Sequence, residues 1–529
     1  MRAEGAIGKG YKLVIKDILL TIRALLVTAM WFVIAQCILT VGITAHLNGK
    51  HFLDVLKYLS MYKFQSDMHL VGDVLSYLLD ETVKIFIYTQ ATWGLFPLVI
   101  YMYGRKFKKH AETEHVRGTE VIPEKQLARL IEHDERCRIR ISEQCKLPVK
   151  YETQHGFIVG MTGTGKTTEF LQFIRQVKVG FRGIIFEAKE GDYMRFFDPQ
   201  TDFLFNPFSP DCVKWSIFNE IQKIYDLNAI GKALIPDSAN LSGTETYFRT
   251  AARDMFTGIL SYLQSEGKTT NKDLWDCLIL LEEEIIEILK KTEDGRIALR
   301  HLEKQASGQS AGVISTFTMF TACFKFIRDL HGDFSFREWI RNGKGWIFIQ
   351  SSQGMKDAVM PLLSLVTDIL CKEMLSLPNT FDENVRTFFF VDELGALNKL
   401  PSLVDFLTLS RSKGGSMWIG IQDFGRIREL YGKDIAETIY NNTAMHLAFR
   451  VQSPQTAAYI SQSFGDRDTR EMDDTAVINS GENPGGSNTR KTKRHERAII
   501  EGDIVNLEEH HGYLKMGKYP VAKVHIPRL

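Results

Sequence analysis

The run Gly160-Met161-Thr162-Gly163-Thr164-Gly165-Lys166-Thr167 leaves this chain little freedom in what it folds into. It has the form GxxxxGK[ST], and its flanks agree with its letters. The apolar run Phe157-Ile158-Val159 precedes it and reads as a buried strand, and Thr168-Glu169-Phe170-Leu171-Gln172-Phe173-Ile174 follows with helical spacing. Strand, glycine-rich turn and helix N-terminus make a phosphate cradle, because the glycines let backbone N–H groups converge on anionic oxygens and the helix dipole adds positive potential. Gly160, Met161, Thr162, Gly163, Thr164, Gly165, Lys166, Thr167 and Thr168 are the candidate nucleotide contacts. Lys166 is placed to reach the β- and γ-phosphates and Thr167 to ligate Mg²⁺.

A second element fits the first. Arg386-Thr387-Phe388-Phe389-Phe390-Val391-Asp392-Glu393 is a short apolar, β-prone run that ends in two acids. A parallel strand buried on both faces carries its polar residues out at the C-terminal edge, where the phosphate loop also sits. Asp392 is the candidate holder of Mg²⁺ through water, and Glu393 the candidate base for the attacking water. ATP with Mg²⁺ is the expected ligand, and its hydrolysis the expected chemistry.

The chain has 529 residues and 44% hydrophobic content, enough for several domains. Lys+Arg 65 against Asp+Glu 64 gives no bulk basic bias, so a nucleic-acid contact must come from local patches or an assembled ring. Cys37, Cys137, Cys145, Cys212, Cys277, Cys323 and Cys371 form no CxxC pair, which argues against a zinc site or a disulfide framework.

Residues 1–109 read as a membrane anchor. Residues 24–45 and 85–103 are uncharged stretches, each close to the roughly 20 residues that span a bilayer as a helix. Arg2, Lys9, Lys12 and Lys16 precede the first, and Arg105-Lys106-Phe107-Lys108-Lys109 follows the second. By the positive-inside rule both termini are cytoplasmic, with a small periplasmic loop between the spans. Residues 110–150 are charged and read as a linker or a small capping segment. Strand-like runs then recur at Phe157–Val159, Gly183–Glu187, Trp346–Gln350, Thr387–Val391, Met417–Ile421 and Met445–Arg450, separated by helical stretches as in a doubly wound sheet. Between about 220 and 340 the strand signal is absent and helix spacing takes over. The expected architecture is α/β: a RecA-like P-loop NTPase domain (151–219 and 341–529), an all-helical insertion (220–340) and the two-span anchor. The loop Asn479–Asn488 runs into the basic cluster Arg490-Lys491-Thr492-Lys493-Arg494, which reads equally as a phosphate contact or as a solvated hairpin tip.

Taken in order, these features resemble the TraD/TraG-type coupling proteins of conjugative type IV secretion systems, membrane-anchored hexameric ATPases related to the FtsK and HerA DNA motors. The resemblance rests on the anchor followed by His115-Val116-Arg117-Gly118, the phosphate loop, Asn206-Pro207 and Trp215-Ser216-Ile217-Phe218-Asn219-Glu220. It continues through Val391-Asp392-Glu393-Leu394, Leu409-Ser410-Arg411-Ser412-Lys413-Gly414-Gly415, Gln422-Asp423 and His511-Gly512-Tyr513-Leu514-Lys515. It implies that Gln422 is the polar sensor of the terminal phosphate or the attacking water, and that Arg411 is an arginine finger supplied by a neighbouring subunit. It further implies an inner-membrane homohexamer, with the bulk of each chain cytoplasmic. Such a ring drives single-stranded DNA without sequence preference, and couples a relaxase–DNA complex to the secretion channel during conjugation. One departure stands out: the strand Gly183–Phe186 ends in Glu187, where relatives more often carry Asp.

Three other readings compete. An ABC-type ATPase needs an LSGGQ-like signature shortly before Asp392, and Ser307-Gly308-Gln309-Ser310 is too distant and mispatterned. An FtsK/HerA-like membrane motor is nearer, but two spans and the internal helical block favour the conjugative branch. A docking receptor that uses ATP only as a switch is the alternative from a different class.

Overall fold

The computed structural model describes residues 114–528, apart from 190, 240, 303–306, 352–353 and 477–486, together with Val27, Met30, Trp31, Ile34 and Ile38. Those five are helical and exposed; otherwise the two expected spans lie outside the described residues. Among the described residues no helix is long and apolar enough to cross a membrane. The chain divides into one unit of Glu114–Arg470 with Thr492–Leu529 and another of Met1–Thr113 with Glu471–Lys491.

The segment expected to be a linker or cap is folded. It holds β1 (Glu114–Gly118), β2 (Val121–Pro123), helix α1 (Glu124–Asp134), β3 (Cys137–Arg140) and β4 (Lys146–Pro148). Leu127, Ala128 and Ile131 of α1 are buried in the same apolar cluster as one face of the main sheet, which corrects the linker assignment for these residues. Their apolar stripe is narrow and surrounded by charge, so composition hides it.

The phosphate-loop unit follows as β5 (Gly156–Val159), α2 (Lys166–Val177), β6 (Arg182–Glu187) and the short β7 (Phe203–Phe205). Then come α3 (Ile224–Leu234), α4 (Gly243–Ser265), α5 (Asn271–Leu278), α6 (Glu282–Leu289), α7 (Glu293–Leu302), α8 (Ser307–Thr321) and α9 (Phe336–Asn342), with no named strand among the described residues of this stretch. Ser242 and Thr270 begin α4 and α5 as reciprocal capping boxes with Glu245 and Asp273, which fixes where these helices start. The sheet resumes with β8 (Trp346–Gln350), α10 (Lys356–Ser376), β9 (Thr387–Val391), α11 (Leu403–Leu409) and β10 (Gly415–Ile421). After these come α12 (Phe424–Tyr431), α13 (Lys433–Asn441), β11 (Met445–Ala448), α14 (Pro454–Phe464), β12 (Asp466–Ala476), β13 (Ser487–Arg497), α15 (Glu501–Val505), β14 (His511–Met516) and β15 (Val521–His525).

Ten strands form one mixed sheet in the order β2-β15-β14-β11-β5-β10-β9-β6-β8-β7. The run from β11 to β7 is parallel, whereas β14 lies antiparallel to both β11 and β15. Alternate residues of each parallel strand enter different cores. Phe389 and Val391 face α10, α11 and the helical block, while Phe388 and Phe390 face α2 with Phe170, Phe173 and Ile174. The helical block shares its core with the first face. A sheet covered on both faces explains why its strands read as continuous apolar runs. Two glycines are set by tryptophans on neighbouring strands: a Cβ at Gly156 would lie 2.4 Å from the Trp418 ring, and one at Gly183 2.3 Å from the Trp346 ring.

Candidate nucleotide site

One strand, β10, separates the phosphate-loop strand β5 from the acid-bearing strand β9. Because all three are parallel, their C-terminal ends open on one edge. The loop from Gly160 starts there, tied to the sheet by Gly160 N donating to the Ile421 carbonyl (3.1 Å) and Met161 N to that of Arg450 (3.0 Å). Gly163 and Gly165 have φ of 83° and 121°, backbone that side-chained residues rarely adopt. A Cβ at Gly160 would stand 2.7 Å from Phe449 Cβ, so the ring of Phe449 packs directly beneath the loop. Thr164 is buried, and its hydroxyl closes the turn on the Met161 carbonyl at 2.7 Å. Thr162 and Gly163 stay exposed, so the cradle faces outward.

Lys166 is buried and gathers the site. Its Nζ donates to the Asp392 carbonyl and to Glu393 Oε2, both at 3.0 Å. Glu393 Oε1 accepts the Gln422 backbone N–H at 3.4 Å. Burial pushes the Glu393 carboxyl above its ordinary pKa, and the Lys166 ammonium opposes that rise. Asp392 is fixed on three sides. Its N–H bonds the Phe186 carbonyl (3.2 Å), its carbonyl holds Lys166, and its Oδ1 accepts the Tyr193 hydroxyl at 3.0 Å. Asp423 instead caps α12 through the Gly425 N–H (3.1 Å) and accepts the Thr456 hydroxyl.

The structure therefore brings together Gly160, Met161, Thr162, Gly163, Thr164, Gly165, Lys166, Thr167, Thr168, Asp392, Glu393 and the end of the strand that bears Gln422. Arg411 is not among them. It is exposed in the single turn Ser410–Lys413 before β10, at the opposite edge of the sheet.

Sequence reasoning missed two neighbours of the site. Tyr193 sits in the connection after β6, and nothing in its spacing ties it to Asp392. His510 braces the loop from outside, its N–H donating to the Thr164 carbonyl at 2.9 Å from a backbone with φ of 60°. The block Trp215–Glu220 has a structural use: buried Glu220 accepts from the Trp215 indole (2.9 Å) and from the Phe336 N–H at the start of α9 (2.8 Å).

The donor set suits Mg²⁺ with a nucleotide. Among the described residues no cluster of three or more His, Cys, Asp or Glu could cage a metal. Mg²⁺ does not need one, since it binds through one or two carboxylates, waters and substrate phosphates.

A positive-φ glycine cradle with a buried lysine and paired acids on a doubly covered parallel sheet defines the P-loop α/β class. Within it, residues 140–527 match the family model described as the type IV secretion-system coupling protein DNA-binding domain, and the chain belongs to that family. The coupling protein TraD of Escherichia coli (strain K12) is 24% identical over 447 residues, covering 81% of this chain and 60% of TraD. The chain thus spans about three-fifths of that relative's length. The solved bacterial conjugative coupling protein TrwBΔN70 shares the fold with a TM-score of 0.67 at 24% identity, over 78% of this chain and 93% of that one. The plasmid coupling protein TrwB in complex with ADP and Mg²⁺ superposes with a TM-score of 0.67 at 23% identity, over 79% and 95% of the two chains.

Proposed function

We propose that this chain is the ATP-driven DNA translocase of a conjugative type IV secretion system, acting as an inner-membrane homohexamer. The observation that carries the reading is the convergence of Lys166 and Glu393 at 3.0 Å beside the glycine cradle, in a chain of the coupling-protein family. Gly160 to Thr168 hold the nucleotide phosphates, with Lys166 offsetting β/γ charge. Thr167 and Asp392 hold Mg²⁺, which when bound supplies charge neutralisation at the phosphates. Glu393 accepts the proton of the attacking water and Gln422 orients it. The raised pKa of Glu393 brings it nearer the working pH, which favours a general base. Arg411 reaches the phosphate of a neighbouring copy.

The expected partners are DNA, most simply single-stranded, a relaxase, channel components and the membrane, with residues 24–45 and 85–103 as the anchor and the body on the cytoplasmic side. DNA grip is through phosphates. Affinity should then fall steeply with salt, by a slope of about 0.7 per neutralised phosphate on single strands, and oligonucleotides of unrelated sequence should compete equally. The test is ATP turnover by the full chain with and without single-stranded DNA. Stimulation supports a motor. Turnover indifferent to DNA favours the docking receptor that uses ATP as a switch.

A further inference from the structure

The connection after β6 does more than link strand to helix. Glu187, the last residue of that strand, turns back on its own chain: Oε1 accepts the Asp192 N–H at 2.6 Å and the Tyr193 N–H at 3.2 Å. Gly191, with φ of 112°, permits the tight return. Tyr193 is 1% exposed, and its hydroxyl points to Asp392 Oδ1 at 3.0 Å. A longer acid at position 187 is what reaches two backbone donors five and six residues ahead. The departure from the usual Asp thus has a structural use.

We propose that Tyr193 is a positioning residue for the metal-binding carboxylate of Asp392, and that Glu187 clamps the turn that delivers it. The inference rests on the Mg²⁺–nucleotide reading above. With the Asp392 backbone already held by Phe186 and Lys166, the phenol fixes the remaining torsion. It occupies one carboxylate oxygen, and the other would be the one to act toward a bound Mg²⁺. Partners of this outer kind orient ligating carboxylates, and removing one typically costs 10–100-fold in metal affinity. The arrangement ties Mg²⁺ affinity to β6, three places along the sheet from the phosphate-loop strand β5, so loss of the Glu187 or Tyr193 contacts would loosen metal without touching the cradle.

The test measures affinity of the full chain for a fluorescent ADP at increasing Mg²⁺, alongside its affinity without metal and its melting temperature. Tyr193→Phe keeps the ring and loses only the hydroxyl. It should raise the Mg²⁺ needed for half-maximal tightening by about tenfold or more, with metal-free ADP affinity unchanged. Glu187→Ala should shift the Mg²⁺ response in the same direction. Glu187→Gln should stay close to the unaltered chain, because its amide oxygen still accepts both N–H groups. An unaltered Mg²⁺ response in folded Tyr193→Phe would overturn the proposal. So would an equal loss of metal-free affinity, which marks a merely structural role. A complete lack of Mg²⁺ effect in the unaltered chain would instead overturn the nucleotide reading itself, and this inference with it.

Discussion

At the carboxyl edge of the parallel strands, Asp392 and Glu393 meet Lys166 and Glu187 ends β6, whereas the amino edge of the same strands is rich in cations. Arg175, Lys178, Arg182, Arg341, Lys344 and Arg386 line a cleft there of about 880 Å³, with Asp198 and with Asp202, which pairs with Lys178. The Arg182 guanidinium holds the carbonyls of Ile340 (2.8 Å) and Trp339 (3.3 Å) and the Thr387 hydroxyl (3.0 Å), so part of this charge is spent on closing the fold. The difference teaches how strand direction sorts chemistry. In a parallel sheet every loop that leaves a strand emerges on one edge, and the phosphate chemistry collects there. Arg411 falls on the wrong edge for its own copy, one strand length or about 23 Å away at ~3.3 Å per residue. The role proposed for Arg411 therefore requires a second copy that presents its amino edge to this carboxyl edge.

The most forceful attempt to break this division removes Lys166. Lys166→Ala should lower turnover by about 1,000-fold or more, since Lys166 is the buried cation that meets Glu393 and the Asp392 carbonyl, and single preorganised donors are worth about 10²–10³. Lys344→Ala at the amino edge should leave turnover within about twofold by the same logic, as its side chain lies away from the cradle. Steady-state phosphate release by the two variants checks both. Comparable losses would mean that the edges are not functionally separate.

Glu393→Gln sharpens the picture within the carboxyl edge. The amide keeps the shape and loses the basic oxygen, so turnover should fall about 100-fold or more while nucleotide binding persists. Equilibrium binding of a fluorescent nucleotide next to turnover separates the two effects. Loss of binding would assign Glu393 a structural or metal role.

How much of this was legible in the sequence follows from the same geometry. Thr387–Val391 and its two acids stand out because a strand buried on both faces stays apolar from Phe388 to Val391 and turns acidic only as it leaves the sheet. The β7 strand has only three residues and lies at the sheet's end, too short for any period to register. In β14 burial alternates, since an antiparallel strand near the rim needs only one apolar face, and the signal is correspondingly weak. Helix α1 was hidden by its charged surface. Within the site, Lys166, Asp392 and Glu393 could be named from local motifs. Tyr193 could not, because its partner lies 199 residues away and only the fold joins them.

An effect on stability rather than turnover distinguishes the edges by pH. His155 lies just before β5 at the amino edge, buried, with φ of 62° and Nδ1 accepting the Met417 N–H at 3.0 Å. Burial lowers its pKa from 6.5 to about 4. The unfolded chain therefore binds the proton first, and stability contributed by neutral His155 is lost as pH falls from 6.5 toward 4, by up to about 3 kcal/mol. Glu187 at the carboxyl edge has the opposite sign: burial raises it from 4.5 to about 7, so its contribution declines as pH rises through that window. His155→Asn, which tolerates the left-handed backbone, should flatten the acid limb in urea melts taken across pH. An acid limb of unchanged steepness would place the titrating group elsewhere.

The central claim is that one copy's carboxyl edge is completed by another copy's amino edge. Mixing Lys166→Ala chains with Arg411→Ala chains tests it directly, with co-assembly verified by dual labelling of full chains. Each variant alone should be inactive, and the mixture should regain turnover, because some interfaces pair an intact phosphate loop with an intact arginine. Verified mixed assemblies that stay inactive at every ratio would contradict the shared site.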